Sequence, residues 1–249
     1  MMAMKQPQRR ALTWAVIGAL VLVAGVVAIV VGAISAAPAP TASPAASPTG
    51  PDVTPSFGPS TTPSTGSRVV DESVRSRGWV PEPITAGRAV YVQAALEAAA
   101  TFDTQKSSRA EWLDYLDTWF TPDTRYTSEA DRQKRLAAAQ LELRQAVVLP
   151  DQQWTSLANE RGRVAATVTT DISWSTVPED ASGDMSIGTA DVLLTYTRQD
   201  NTGTETTYEE STRVSVQVLC GPGSVPVPDT SQSPGDCRVV RYFAEPIEP

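Results

Sequence analysis

Histidine is absent from all 249 residues, lysine occurs three times and cysteine twice. The first absence removes the commonest acid–base catalyst at neutral pH and the commonest metal ligand. Two thiols alone are too few ligands for a structural zinc site. The Ser, Lys and Gly-rich motifs of nucleophilic or phosphate-binding sites are missing as well. Nothing in the chain therefore calls for a cofactor, and no residue is assigned a catalytic role.

Positive charge is short too. Lys5, Arg9, Arg10 and Asp52 precede residue 68, so residues 68–249 hold 17 basic and 27 acidic side chains, a net charge of −10. A surface of that sign repels phosphate backbones, which excludes nucleic acid as a direct partner. Arginine outnumbers lysine 17 to 3. With the Ala, Pro and Thr bias, that ratio matches the coding style of a GC-rich, actinobacterial genome.

What is present falls into four stretches. Residues 1–10 are short and basic. Residues 11–34 run 24 residues without a charge, which at about 1.5 Å per residue is enough to cross a hydrocarbon core of about 30 Å. The basic residues before this run predict a single-pass anchor with its N-terminus in the cytoplasm and Trp14 at the interface. A cleaved signal peptide ending near Ser35 or Ala37 is the alternative, but its apolar region would span only about 7–15 residues. Ala11, Gly18, Gly25 and Gly32 recur every seven residues, a small-residue face on which two such helices can pack into a homo-oligomer. Residues 35–67 contain eight prolines among Ala, Ser, Thr and Gly. They read as a semi-extended, disordered tether reaching roughly 60–100 Å at about 3.1 Å per residue.

Residues 68–249 are long enough for one exported domain with its own core. The spacing predicts a helix over Gly87–Thr104, with Val92, Ala95, Leu96, Ala99 and Phe102 on one stripe. Ser108 and Glu111 have capping-box spacing. They open a second helix whose Trp112, Leu116, Trp119 and Phe120 share a face. A third helix, from Ser128 to about Ala146, carries Leu136, Ala139, Leu143 and Val147 and stops at Pro150. Beyond Pro150 the period becomes 2: Val164, Ala166, Val168, Ile172, Trp174; Val192, Leu194, Tyr196; Tyr208, Thr212, Val214, Val216, Val218; then Val239, Arg241, Phe243. Turn-rich links join these runs, which predicts an antiparallel sheet with one buried face. Helices followed by strands give an α+β fold, three helices packed on a curved sheet. Cys220 and Cys237 are an even pair in an exported domain and read as a disulfide. Such a bond closes a loop of about 18 residues and contributes on the order of 3 kcal/mol.

Three helices before a curved antiparallel sheet resemble the nuclear-transport-factor-two-like, or cystatin-like roll, superfamily. An anchor and tether before such a domain is the layout of bitopic proteins of conjugative and other type IV secretion systems. The stretch Ala94–Asp123, above all Glu111–Asp123, resembles the second-helix region of actinobacterial conjugation-associated members. The resemblance implies a non-catalytic structural or assembly subunit of a trans-envelope apparatus, with other membrane and envelope proteins as partners.

Enzymes of that superfamily work in the cone between helices and sheet, with an Asp or His base and a Tyr or second acid. Asp103, Asp114, Asp117, Tyr115, Tyr196 and Tyr208 are the available residue types here. Glu111, Asp114 and Asp117 are spaced by three along a face opposite Trp112 and Trp119, which reads as a solvated helix face met by Arg132, Arg135 or Arg144. Trp112, Leu116, Trp119 and Phe120 read as core, with the lining of a ligand cavity as the alternative. The matching alternative function is an extracytoplasmic binding module for a lipid or small hydrophobic ligand.

Overall fold

The structure, a computed structural model, describes residues 68–248. The anchor at 11–34, its face at Gly18, Gly25 and Gly32, and the tether at 35–67 lie outside the described residues. Among the described residues no helix is long and apolar enough to cross a membrane.

The domain starts with a closed loop. Val70 N donates to Glu82 O and Ile84 N to Arg68 O, at 2.9 and 2.8 Å, around a 3-10 helix, Glu72–Arg77, capped by the Asp71 side chain. Gly78 ends it at φ +78°, where a Cβ would sit 2.7 Å from Asp103 Cβ. Left-handed backbone and close contact both demand glycine there.

Helix α1, Arg88–Ala98, buries Tyr91, Val92, Ala95, Leu96 and Ala98. It stops short of the expected Thr104. Phe102–Asp103 instead form a short strand, β1, paired with β2, Arg163–Val168, through Phe102↔Val164 and Asp103↔Arg163. The Ala-rich sequence favours helix, but tertiary pairing overrides it. Thr101 Oγ1 accepts from Ala166 N at 3.0 Å, and Phe102 stacks on Trp154 and tilts against Trp112.

Helix α2, Arg109–Asp117, has the capping box: Ser108 Oγ accepts from Glu111 N while Glu111 accepts from Ser108 N. Helix α3, Glu129–Glu142, is capped by Ser128 and loosens into a π-helical turn, Leu143–Val147. Arg109 donates to the carbonyls of Arg144 and Leu149 at that irregular end. A fourth helix, α4, Asp151–Asn159, then follows Pro150, with Trp154 and Leu157 buried. Three helices were expected. Pro150, read as a stop, also begins a helix, because proline costs no hydrogen bond in a first turn.

The sheet is antiparallel and curled, in the order β1-β2-β4-β5-β6, with β3, Ser173–Thr176, also paired to β4. Strands β4, Met185–Gln199, and β5, Glu205–Leu219, form one long hairpin in register from Met185↔Leu219 to Gln199↔Glu205. At its tip Asp200 Oδ1 accepts from the amides of Thr202 and Thr204, and Gly203 takes φ +86°. Strand β6, Arg238–Phe243, meets β5 along Ser215–Leu219, with a bulge at Gln217/Val218, and its Val239 also bridges to Phe120. The bulge breaks the expected Val239, Arg241, Phe243 alternation and puts Tyr242 beside Val239 in the core. A bulge shifts the two-residue period by one.

Helix α1 lies across β2, β4 and β5. The core between them is aromatic. Trp112, Trp119 and Tyr91 are fully enclosed, Trp112 stacks on Trp154, and Tyr91 meets Trp119 at 5.9 Å. A smaller cluster on the outer face joins Val177, Met185, Ile187, Leu219 and Val240, with Ile247 against it.

Candidate functional site

Two of the places that combine polar groups with enclosure in the described domain contrast in kind. One is an open cleft and the other a sealed ion pair.

The cleft has a volume of about 250 Å³. Leu96 of α1 and Ala99 just after it form one wall, the 145–150 segment a second, and Val192, Leu194, Glu210, Thr212 and Val214 of the hairpin the third. A further recess of about 150 Å³ between α4 and the hairpin shares Leu149, Tyr196 and Glu210 with it. The lining is apolar because the even-numbered β5 residues and their β4 partners face inward, as period 2 requires. Tyr196, 8% exposed, stacks parallel on Tyr208 at 4.7 Å, and burial followed by the charge of Glu210 pushes its hydroxyl pKa up. Glu210 is exposed and makes no ion pair among the described residues.

None of the other available acids and tyrosines reaches this cleft. Asp103 accepts from Gln105 N and pairs with Lys106. Asp117 is bonded by Arg144, which lies 3.7 Å from Asp114. Burial raises the Asp117 carboxyl pKa against the pull of Arg144. Glu111 meets Arg77, and Arg132 pairs with Glu129 of its own helix. Tyr115 donates to Val80 O and accepts from Glu82 N. Trp112, Leu116, Trp119 and Phe120 lie in the core, and other residues line the cleft. Among the described residues no three of His, Cys, Asp or Glu gather where a metal ion would fit.

The ion pair joins Glu82 and Arg238, 1% and 3% exposed in their side chains and 3.3 Å apart. Glu82 Oε1 also accepts from Tyr91 Oη at 2.5 Å and Gln232 Nε2 at 3.3 Å, and its buried Oε2 has no hydrogen-bond partner among the described residues. Arg238 donates to the carbonyls of Thr118, Trp119, Phe120 and Val225 and to Gln232 Oε1. Its fork thus satisfies the carbonyls left open after α2. Burial raises the Glu82 carboxyl pKa, opposed chiefly by Arg238, and burial also pushes the Tyr91 hydroxyl up.

The disulfide Cys220–Cys237 forms as expected. It closes the loop that supplies Val225 and Gln232, one residue before Arg238, and Cys237 N donates to Thr85 O at 2.7 Å. The pair of charges ties three distant segments together. Sequence reasoning missed it. Its one signal was Glu82 set between Pro81 and Pro83 in an otherwise apolar run from Trp79 to Ile84, where an unpaired charge would be costly.

No protein-family model and no curated protein sequence matches the chain. Among solved structures, it is similar to an IcmL-like type IV secretion system protein from Legionella pneumophila, at 15% identity and a TM-score of 0.40, over 66% of this chain and 94% of that one. It is similar to CagV, a VirB8 homolog of the type IV secretion system of Helicobacter pylori, at 11% identity and a TM-score of 0.35, over 64% and 95%. A periplasmic fragment of TraM matches at 13% identity and a TM-score of 0.32, over 61% and 89%. At such identities and scores these are loose likenesses of layout.

Proposed function

We propose that the chain is a non-catalytic assembly subunit of a trans-envelope complex of the conjugation or type IV secretion kind. In this reading residues 11–34 hold it in the cell membrane with the N-terminus cytoplasmic, and residues 68–249 make protein contacts outside. The observation that carries it is the use made of the roll's interior. Phe102, Trp112, Trp119 and Trp154 fill it, the buried carboxylate is locked to Arg238, and Glu210 is the one carboxylate lining the remaining cleft among the described residues. A rigid body with a filled interior interacts through its surface. The disulfide supports an oxidising, extracytoplasmic compartment.

Photo-crosslinking of the full chain in its native membrane, followed by mass spectrometry, tests this. Discrete crosslinks from the domain to envelope proteins are expected. A chain that crosslinks to nothing but lipid would overturn the assembly reading. The heptad face extends it to self-association: Gly25→Leu is expected to lower the dimer signal of the 11–34 segment in a membrane reporter assay.

The second reading, a module for a lipid or small hydrophobic ligand, rests on the apolar lining of the cleft. At about 250 Å³ the cleft falls below the usual range of roughly 300–1,000 Å³ for ligand sites. Thermal melts with lipid extract are expected to leave the midpoint unmoved, and a saturable rise would favour the second reading.

A further inference from the structure

We propose that the free edge of β5, Glu205–Val214, accepts an extended, basic segment of a partner protein as an added strand, with an apolar side chain of that segment seated in the adjacent cleft. The inference deepens the assembly reading and rests on it, by naming the surface and the chemistry of the partner.

Strand β4 covers one side of β5 along its whole length, while β6 covers the other side only from Ser215 to Leu219. Among the described residues, Glu205–Val214 therefore pair with β4 alone. In an antiparallel strand every second residue turns its N–H and C=O away from a given neighbour. About ten residues of edge thus present a row of unpaired backbone groups, the template on which strand addition acts.

The cleft runs beside this edge. Glu210, Thr212 and Val214 belong both to the edge and to the cleft lining, and Tyr208 and Glu210 to the smaller recess. An added strand would continue the pleat, so its alternate side chains would point the same way as these residues. One of them would meet the apolar wall made by Leu149 and Leu194. Backbone pairing supplies affinity and the recess supplies selectivity.

Charge selects the partner. Of the acids on the free edge, Glu205 is paired with Arg163 across the sheet, whereas Glu209 and Glu210 have no ion-pair partner among the described residues. Arg213 is already held by Asp191 and Glu248. The domain carries a net −10. A second copy of β5 is a poor occupant, because antiparallel self-pairing centred on Glu209 and Glu210 sets like charges opposite one another. A lysine- or arginine-bearing strand removes that repulsion and draws the partner in.

The full chain in lipid nanodiscs is titrated with a peptide of about eight residues alternating valine and lysine. Saturable binding with slowed amide exchange along Glu205–Val214 is expected. Methylating alternate peptide amides should abolish it, and this arm leaves the protein untouched. The double variant Glu209→Lys, Glu210→Lys should melt as the parent does and bind about tenfold or more weakly. Equal binding of the methylated peptide, or of a valine–glutamate peptide, would overturn the proposal. So would sedimentation showing two copies joined through β5. Membrane crosslinks to envelope proteins that persist in the double variant would leave the assembly reading standing and sink this surface. Peptide binding without any envelope crosslink would do the reverse.

Discussion

Strands β4 and β5 are one hairpin with two different halves. The base, Met185–Thr189 against Ser215–Leu219, lies between β3 and β6. Val216, Val218 and Leu219 there are at most 1% exposed. Gly188 has no room even for a Cβ, which would come 2.7 Å from Val92 Cγ1. The disulfide and the Glu82–Arg238 pair clamp the same end. The outer half, Ala190–Gln199 against Glu205–Val214, has β2 on one side and, among the described residues, no strand on the other. Its ion pairs, Arg163–Glu205 and Arg198–Glu160, are half exposed and contribute about 0–1 kcal/mol each. Stability is concentrated where the chain segments converge, and the outer half is the surface proposed for contact.

The largest expected effect is at the clamp. Arg238→Leu leaves Glu82 buried with an unpaired charge and strips donors from the carbonyls of Thr118, Trp119 and Phe120. About 3–5 kcal/mol of stability should be lost in urea unfolding. The double variant Glu82→Leu, Arg238→Leu should lose less than the two single losses added together, because no buried charge remains unmatched. Strictly additive losses would mean that the two side chains do not act as a pair.

Reducing Cys220–Cys237 comes next, at about 3 kcal/mol. Amide exchange should quicken at Thr121 and Val239, whose backbone bonds hold β6 against the residues after α2. Thr195–Gln199 should change little. If the outer hairpin opened along with the base, the two halves would be one cooperative unit, and the comparison would fail. Glu209→Ala sharpens it from the other side. That residue has no ion-pair partner among the described residues, so the stability change is expected within about 0.5 kcal/mol, below the resolution of a melt that easily detects the reduced disulfide.

The uneven strength of the two halves also explains what the sequence allowed. Helix α2 was legible because its signals are local: Ser108 and Glu111 close a box three residues apart, and Trp112 and Leu116 share a face. The core-facing strand residues Val164, Val192 and Val216 were legible from alternation, and the disulfide from an even cysteine pair. The outer half of β5 was only partly legible, since both of its faces are exposed around Glu209 and the period-2 signal fades. Strand β1 was hidden inside an alanine-rich run whose helix propensity is local, while the pairing that overrides it reaches to residue 164. Helix α4 was hidden behind Pro150. The ion pair was illegible because Glu82 and Arg238 lie 156 positions apart, and the cleft draws its walls from α1, the 145–150 segment and four strands.

The smallest effect separates the halves by acid. At the hairpin tip Asp200 accepts hydrogen bonds from the Thr202 hydroxyl and from the amides of Thr202 and Thr204, which hold its carboxyl below the ordinary value of 3.8. A depressed carboxylate contributes stability that is present above the unfolded pKa and lost as pH falls through the folded one. Glu82 has the opposite sign: burial raises its pKa above 4.5, so its charged form becomes a burden as pH rises, and acid relieves it. Lowering the pH from about 5 to about 3 should therefore loosen the tip before the base. Amide exchange, corrected for its intrinsic pH dependence, should quicken at Thr202 and Thr204 while Val239 holds. Asp200→Asn removes the titrating group and should leave those two amides equally protected at both pH values. Protection at Thr202 and Thr204 that stays flat in the parent chain would show that the carboxylate does not hold the turn, and that the tip is as firmly made as the base.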